Sequence, residues 1–294
     1  MQQFNLAERG AFAALLELAI REDLGKIGDA TSIAVVPCSV RGKAVFVART
    51  AGILAGLPAC RATLERIDPT INIQTLHEDG TRLEPGWWIA TIEGPMRSIL
   101  TAERTALNFL QRLSGIATLT RRFVDAVAGT KAQILDTRKT LPGWRLLEKY
   151  AVRMGGGTNH RIGLHDGFLI KDNHLAALRH ANSATLNEIE EAIRHCREKN
   201  PALAVEIEVD SLEQLERALA CKPDIVLLDN MNPDQLRTAV SRRDAVAPAT
   251  QLEASGGVNL EIVREIAETA VDRISVGAIT HSAIAMDIAL DYLD

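Results

Sequence analysis

Aromatic residues are scarce, with six Phe, three Trp and two Tyr in 294 positions. Stacking platforms for nucleobases therefore cannot line a surface, and a formal net charge of -5 removes the basic stripe that such a surface also needs. The four cysteines, Cys38, Cys60, Cys196 and Cys221, form no CxxC pair and have no histidine at zinc-finger spacing. This pattern excludes a structural zinc site and reads as reduced, mostly buried thiols of a cytoplasmic protein. No apolar run approaches the roughly 18 residues that span a bilayer, and Glu8, Arg9 and Glu17 interrupt the N-terminal segment that would otherwise pass for a signal peptide. A Walker loop and a Ser-His-Asp arrangement are both missing. What is present, 47% hydrophobic and 24% charged residues, is the composition of an ordinary folded chain, long enough for one large α/β domain or two close ones.

The cations that do occur are concentrated. Residues 134–174, ILDTRKTLPGWRLLEKYAVRMGGGTNHRIGLHDGFLIKDNH, hold seven Lys/Arg against four Asp/Glu, so this stretch is +3 and the rest of the chain is -8. Upstream, Phe12, Leu15, Leu16, Ala19 and Ile20 recur at helical spacing and predict an opening amphipathic helix, which Gly25 ends. Up to about residue 95, the short runs GKAVFVART, INIQTL and WWIATIEG around a helical piece near Pro58 predict a small α+β layer. In TAERTALNFLQRLSGIAT, Leu107, Leu110 and Leu113 make an apolar side and Arg104, Asn108 and Gln111 another. With Ser98 or Thr101 as cap, Arg104 falls in the first turn, where the helix dipole disfavours a cation by up to about 1 kcal/mol and an anion would offset it.

Beyond residue 130, six apolar runs (AQILDTRK, DGFLIKDNH, LAVEIEVD, DIVLLDN, QLEASGG and DRISVGA) alternate with helical segments. This is the spacing of right-handed βαβ crossovers and a parallel sheet. Six or seven strands are too few for a complete eight-fold barrel, which leaves an incomplete barrel or an open doubly wound sheet. The strand ends favour the barrel. They deliver Arg138 and Lys139, Lys171, Glu208, Asp229, Ser255 with Gly256 and Gly257, and Gly277, which a barrel gathers on one face; an open sheet would gather ligands at one switch point.

SGGV and SVGA, each expected to open into a helix, suit a phosphate cradle. Arg138, Lys139, Arg161 and Lys171, with His160 and His174 nearby, would repel one another unless a polyanion balances them; the plainer alternative pairs them with Asp136, Asp166 or Asp172. Glu208 and Asp229 are oxygen donors for a magnesium ion that arrives with a phosphorylated substrate, or acceptors for sugar hydroxyls. Glu206 alternates with Glu208 and so points to the same side, and one of the two is available to pair with a lysine. Lys171 leaves room for a Schiff-base lyase, and a phosphate-binding protein without turnover is also compatible.

Together EDLGKIGDATS, TAERTALNFLQRLSGIAT, DTRKTLPGWRLLEKYAV, GGGTNHRIGLHDGFLIKDNH, EIEVDSL, LLDNM, LEASGG and ISVGAIT resemble the quinolinate phosphoribosyltransferase family. Trp144, after the Pro-Gly turn, is a departure outside the charged set. The resemblance implies an N-terminal α/β sandwich over residues 1–108, with 280–294 packing back on it, and an incomplete TIM-like α/β barrel of six or seven strands over 109–279. It implies quinolinate and phosphoribosyl pyrophosphate as substrates, Mg2+ as the accompanying ion, and a cytoplasmic homodimer whose active site is shared across the interface. Arg104 would act across that interface. Arg138, Arg161 and Lys139 would clamp the carboxylates with His160 close by, Thr137 would contact substrate, and Lys171 would sit near the pyrophosphate or the reacting centre. Glu208 and Asp229 would hold ribose hydroxyls or magnesium, and Lys139, Lys171, Glu208 and Asp229 would be catalytic. Ser255, Gly256, Gly257, Val276, Gly277 and Ala278 would cradle phosphate.

Overall fold

The computed structural model describes residues 4–181 and 188–293. In chain order the elements are α1 (Leu6–Leu24), α2 (Ala30–Val35), β1 (Arg41–Ala48), β2 (Gly52–Ile53), α3 (Leu57–Ile67), β3 (Asn72–Thr75), β4 (Arg82–Leu83), β5 (Trp88–Pro95) and α4 (Met96–Ala126). There follow β6 (Gln133–Leu135), α5 (Arg145–Met154), β7 (Phe168–Ile170), α6 (Asp172–Ala181), α7 (Glu188–Lys199), β8 (Val205–Val209), α8 (Leu212–Ala220) and β9 (Ile225–Asp229). The last are α9 (Pro233–Val246), β10 (Gln251–Ser255), α10 (Val263–Glu268), β11 (Arg273–Ser275), α11 (Ala278–His281) and β12 (Ile288–Leu293). These elements divide into two compact units, one of residues through Arg121 with Thr140–Gly157 and Ile279 onward, the other of Arg122–Lys139 and Thr158–Ala278.

The first unit is built on an antiparallel sheet in the order β12-β1-β5-β3. Residues 44–48 of β1 are all buried, and Ala44, Phe46 and Ala48, two apart and so on one face, enter a core with Leu57, Cys60 and Leu64 of α3 and Ile99, Ala106, Leu107 and Leu110 of α4. Leu107, Leu110 and Leu113 are buried while Arg104 and Asn108 are exposed, as the helical spacing predicts. Gln111 takes a structural task, donating through Nε2 to Ile288 O at 2.6 Å and so tying β12 to the helix. On α1, Phe12 and Leu16 are buried, and Phe12 meets Phe109 edge-on at 5.0 Å between centroids. Trp144 stacks on the same Phe109 at 5.0 Å.

Arg104 does not lie in a first turn. The helix begins at Met96, immediately after β5 ends at Pro95, which places Arg104 two turns inside it. Ser98 Oγ instead donates to Asp68 and Thr101 Oγ1 to Arg97 O, so neither caps the helix and the dipole does not act on Arg104. The loop after Gly25 also holds a helix, α2, because the Asp29 side chain caps it by accepting the Ser32 N–H.

The second unit is a six-stranded parallel sheet in the order β6-β11-β10-β9-β8-β7. Each strand from β7 to β11 adds to the same side of its predecessor, and β11 then pairs with β6, the first strand. Among the described residues the strand order has no point of reversal, so the sheet is an incomplete TIM-like barrel rather than a doubly wound one. Past β6, Thr158 forms a parallel bridge to Leu135, which sets the following residues beside the first strand.

One buried ion pair is decisive for the first unit. Glu148 is fully buried, and Arg112 Nη2 holds its Oε1 at 2.7 Å while also donating to Thr280 O and, through Nη1, to Ala283 O. Replacing Arg112 by Met leaves the buried Glu148 carboxylate without its ion-pair partner and removes the donor to two carbonyls. Chemical denaturation of Arg112→Met is expected to show a loss of about 3–5 kcal/mol.

Candidate active site

Register decides which side chains share a face of the parallel sheet. Glu206 pairs with Leu169, Glu208 with Leu227, Leu227 with Glu253, Asp229 with Ser255, Glu253 with Arg273, and Ser275 with Leu135. Paired residues point the same way and alternate residues return to the same face. Lys171, Glu208, Asp229 and Ser255 therefore end adjacent strands on one face, and Thr137 follows Leu135 on that same side. Lys171 Nζ is bonded to Glu208 Oε2, so this lysine is already engaged by a carboxylate. Its backbone N–H is held by His174 Nδ1 at 2.9 Å, which fixes the turn after β7.

Arg138 and Lys139 are exposed at the end of β6. Arg161 is half-buried, donates from Nη1 to Gly167 O at 3.0 Å, and is held below its ordinary pKa by burial and then by the charge of Arg138. The two guanidinium groups thus feel each other. Asp166 does not neutralise them with a side-chain contact, because its two oxygens accept the Ile162 and Gly163 amides at 2.6 and 2.7 Å and close the loop that carries Arg161. Asp136, the other expected partner, accepts the His160 N–H and the Asn159 side-chain amide at 2.8 and 2.7 Å.

Beneath these cations lies a buried cluster. His160 Nε2 sits 3.1 Å from Glu206 Oε2 and 3.3 Å from Glu253 Oε1, and Arg273 Nε donates to Glu253 Oε2 at 2.7 Å. Burial disfavours a charged His160, but hydrogen bonds and charges from Glu206 and Glu253 outweigh it and raise its pKa to about 9. Burial raises Glu206, with His160 partly offsetting it; burial would raise Glu253 too, but His160, Arg273 and Ser275 hold it below the usual range. These directions describe two carboxylates that titrate together, Glu206 taking a proton more readily than Glu253, in a cluster that Arg273 also balances. The ring's one proton in its neutral form lies on Nε2, because Nδ1 then accepts the Arg161 N–H at 2.7 Å, a bond that charging the ring would give up; Glu206 Oε1, without a hydrogen-bond partner among the described residues, is where a further proton removes an unsatisfied buried charge. Although His160, Glu206 and Glu253 converge within 4.8 Å, Arg273 and this proton already balance their charge, which disfavours a metal there.

The turn after β10 is shaped by glycine. Gly256 and Gly257 have φ of 98° and 60°, and a Cβ on Gly256 would fall 2.2 Å from Asn230 Oδ1. This turn does not open directly into a helix; Asn259 Oδ1 first accepts the Glu261 and Ile262 amides, and α10 starts at Val263. The turn at Gly277 does open into one, the single-turn α11. Val276 is 1% exposed, so backbone is what it offers, and its N–H already donates to Leu135 O at 2.9 Å. Arg104 belongs to the other unit, where it lines a cavity of about 300 Å3 with Asp23, Asp29 and Thr101.

Known proteins with this arrangement settle the family. The profile described as quinolinate phosphoribosyl transferase, N-terminal domain, matches residues 29–114, and that of the C-terminal domain matches 116–291. The chain belongs to the quinolinate phosphoribosyltransferase family. It is 47% identical over 275 residues to the nicotinate-nucleotide pyrophosphorylase (carboxylating) of Mycobacterium leprae, which covers 93% of this chain and 94% of that one. It is 40% identical over 279 residues to the probable enzyme of that name from Bacillus subtilis, covering 94% and 92%. The solved nicotinate-nucleotide pyrophosphorylase of Francisella tularensis superposes with a TM-score of 0.90 at 38% identity, over 100% of both chains. As a member of this family the chain is an enzyme, a phosphoribosyltransferase.

Sequence reasoning singled out neither Glu253 nor Arg273. The signal was available in LEASGG, since Glu253 precedes Ser255 by two and must share its face, and a carboxylate inside an apolar strand needs a partner. The His160 ring is expected to titrate by NMR with a midpoint near 9 rather than its ordinary 6.5. Because the folded value is the higher one, its contribution to stability is complete below about 6.5 and is lost as pH rises through about 9. Denaturation of the protein and of His160→Gln should therefore differ less at pH 10 than at pH 6.

Proposed function

We propose that this chain transfers the phosphoribosyl group of phosphoribosyl pyrophosphate to the nitrogen of quinolinate and removes one carboxylate, giving nicotinate mononucleotide, pyrophosphate and carbon dioxide. The observation that carries this reading is the pair Arg138 and Arg161, electrostatically coupled and with no ion pair to a carboxylate among the described residues, in the unit that also holds the glycine turn at 256–257. Two forked donors suit two adjacent carboxylates on a flat ring, and a turn that a Cβ would fill suits phosphate.

Glu208 and Asp229 fit magnesium, being hard oxygen donors on the same face of adjacent strands. When bound with the substrate, the ion would neutralise charge on the pyrophosphate. In the chain's own part of the reaction, Arg138, Arg161 and Lys139 orient the pyridine dicarboxylate, and Ser255, Gly256, Gly257, Gly277 and Ala278 hold phosphate. Lys171, held by Glu208, stabilises negative charge building on the leaving group. The bond from the ribose carbon to the pyrophosphate oxygen breaks with its electron pair on oxygen, and the pyridine nitrogen supplies the pair for the new bond. The ring nitrogen is then positive. It draws the electrons of the adjacent ring-to-carboxylate bond as carbon dioxide leaves, and that ring carbon takes up a proton. No protein nucleophile is required.

The same proposal includes a homodimer in which the partner protomer supplies Arg104. A cytoplasmic location belongs to it as well, because phosphoribosyl pyrophosphate is a polyanion that does not cross bilayers unaided. Among the described residues no helix is long and apolar enough to span a membrane.

Quinolinate loss and carbon dioxide release should both require phosphoribosyl pyrophosphate and stop when magnesium is chelated. Arg138→Ala and Arg161→Ala should each weaken quinolinate binding about tenfold to a hundredfold, the ~1.5–3 kcal/mol of a charge-assisted hydrogen bond; unchanged affinity in both would refute the clamp. Mixing Arg104→Ala with Lys171→Ala chains should restore activity, since one site of the mixed dimer is intact.

A further inference from the structure

The cationic side chains come from two separate segments, 137–139 and 160–161, and both are anchored below the surface by carboxylates that never reach it. Asp136 and Glu253 are each 0% exposed. Asp136 follows β6 immediately and precedes Thr137, Arg138 and Lys139, and its two oxygens accept the His160 N–H and the Asn159 side-chain amide. Backbone bonds reinforce the seam, from Thr158 N–H to Ile134 O at 2.8 Å and from Asp136 N–H to Thr158 O at 3.2 Å. On the other side, the His160 ring receives the Arg161 N–H on Nδ1 and presents Nε2 to Glu206 and Glu253. Glu253 in turn is gripped by Arg273 from the next strand. Arg161 is thus fixed at its backbone by a relay of three side chains and at its tip by Gly167 O.

Buried carboxylates are a costly way to hold a loop, because apolar packing of the same volume is often at least as stable. Their advantage is direction, since each oxygen fixes a donor to a few tenths of an ångström. Direction matters because Arg138 and Arg161 repel, so tethers of low stiffness would let their segments drift apart in the absence of an anion. We infer that Asp136 and Glu253 are positioning residues, which set the separation of Arg138 and Arg161 and so the affinity and selectivity for a ring bearing two adjacent carboxylates. This inference rests on the quinolinate reading of the site.

Calorimetric titration of quinolinate into the full-length protein, with steady-state kinetics in both substrates, tests it. Asp136→Asn and Glu253→Gln are expected to raise the Kd and KM for quinolinate about tenfold to a hundredfold while the KM for phosphoribosyl pyrophosphate stays within about twofold. Selectivity for quinolinate over the monocarboxylate nicotinate should fall in the same variants. Because either change also disturbs buried charge, two further variants separate positioning from folding. Asp136→Glu keeps the charge and moves the oxygens, and should lose quinolinate affinity at near-normal melting temperature. Glu253→Gln with Arg273→Met restores buried neutrality, and should regain thermal stability without regaining affinity.

Recovery of quinolinate affinity together with stability in the double variant would overturn the inference, as would an equal rise of both KM values. A wild-type protein that binds no quinolinate overturns the functional reading and this inference with it. A wild-type protein that binds quinolinate and variants that match it overturn this inference alone.

Discussion

Everything chemical in the second unit depends on one constraint, the in-register parallel pairing of β8, β9 and β10. Because a strand alternates its side chains, a slip of one residue between β8 and β9 would turn Glu206 and Glu208 away from the face that holds Asp229 and Ser255. The apolar residues on the opposite face, among them Ile207, Val226, Leu228 and Ala254, make such a slip expensive by exchanging buried for charged positions. Packing on one face of the sheet therefore guarantees chemistry on the other. Apolar residues specify where the carboxylates go.

A second layer of organisation lies just below the mouth. His160, Glu206, Glu253 and Arg273 form a group of opposed charges, and such a group tolerates burial only because its members hold each other in place. It also gives the barrel a polar floor, so that the cations above it meet fixed dipoles and charges rather than hydrocarbon.

Much of this was legible in the sequence, for reasons that differ by element. The alternation of apolar runs and helical segments after residue 130 and the capable residue at each strand end identified the barrel, since periodicity and strand direction are local properties. Local signals also set the apolar side of α4. What was not legible came from contacts distant in the chain. Ser98 and Thr101 are good caps in isolation and predict a first turn at Arg104, but Asp68 and the Arg97 carbonyl take their hydroxyls and the helix starts at Met96. Asp136 and Asp166 were candidates to neutralise arginines, yet backbone amides use both. Glu253 is inconspicuous in the sequence because its importance derives from His160 and Arg273, neither of which is near it in the chain. The turn at Gly256–Gly257 was found by composition, whereas the five residues that separate it from α10 depend on the Asn259 side chain.

The pairing of β12 with β1 has a consequence for how the molecule is made. Lys43 lies opposite Leu293, so the sheet of the first unit lacks its outer strand until a segment far downstream has been synthesised. During translation β1 is an open edge with every ladder group unpaired on one side, able to recruit a strand from a neighbouring nascent chain. This sheet is therefore begun before the second unit and closed only after it.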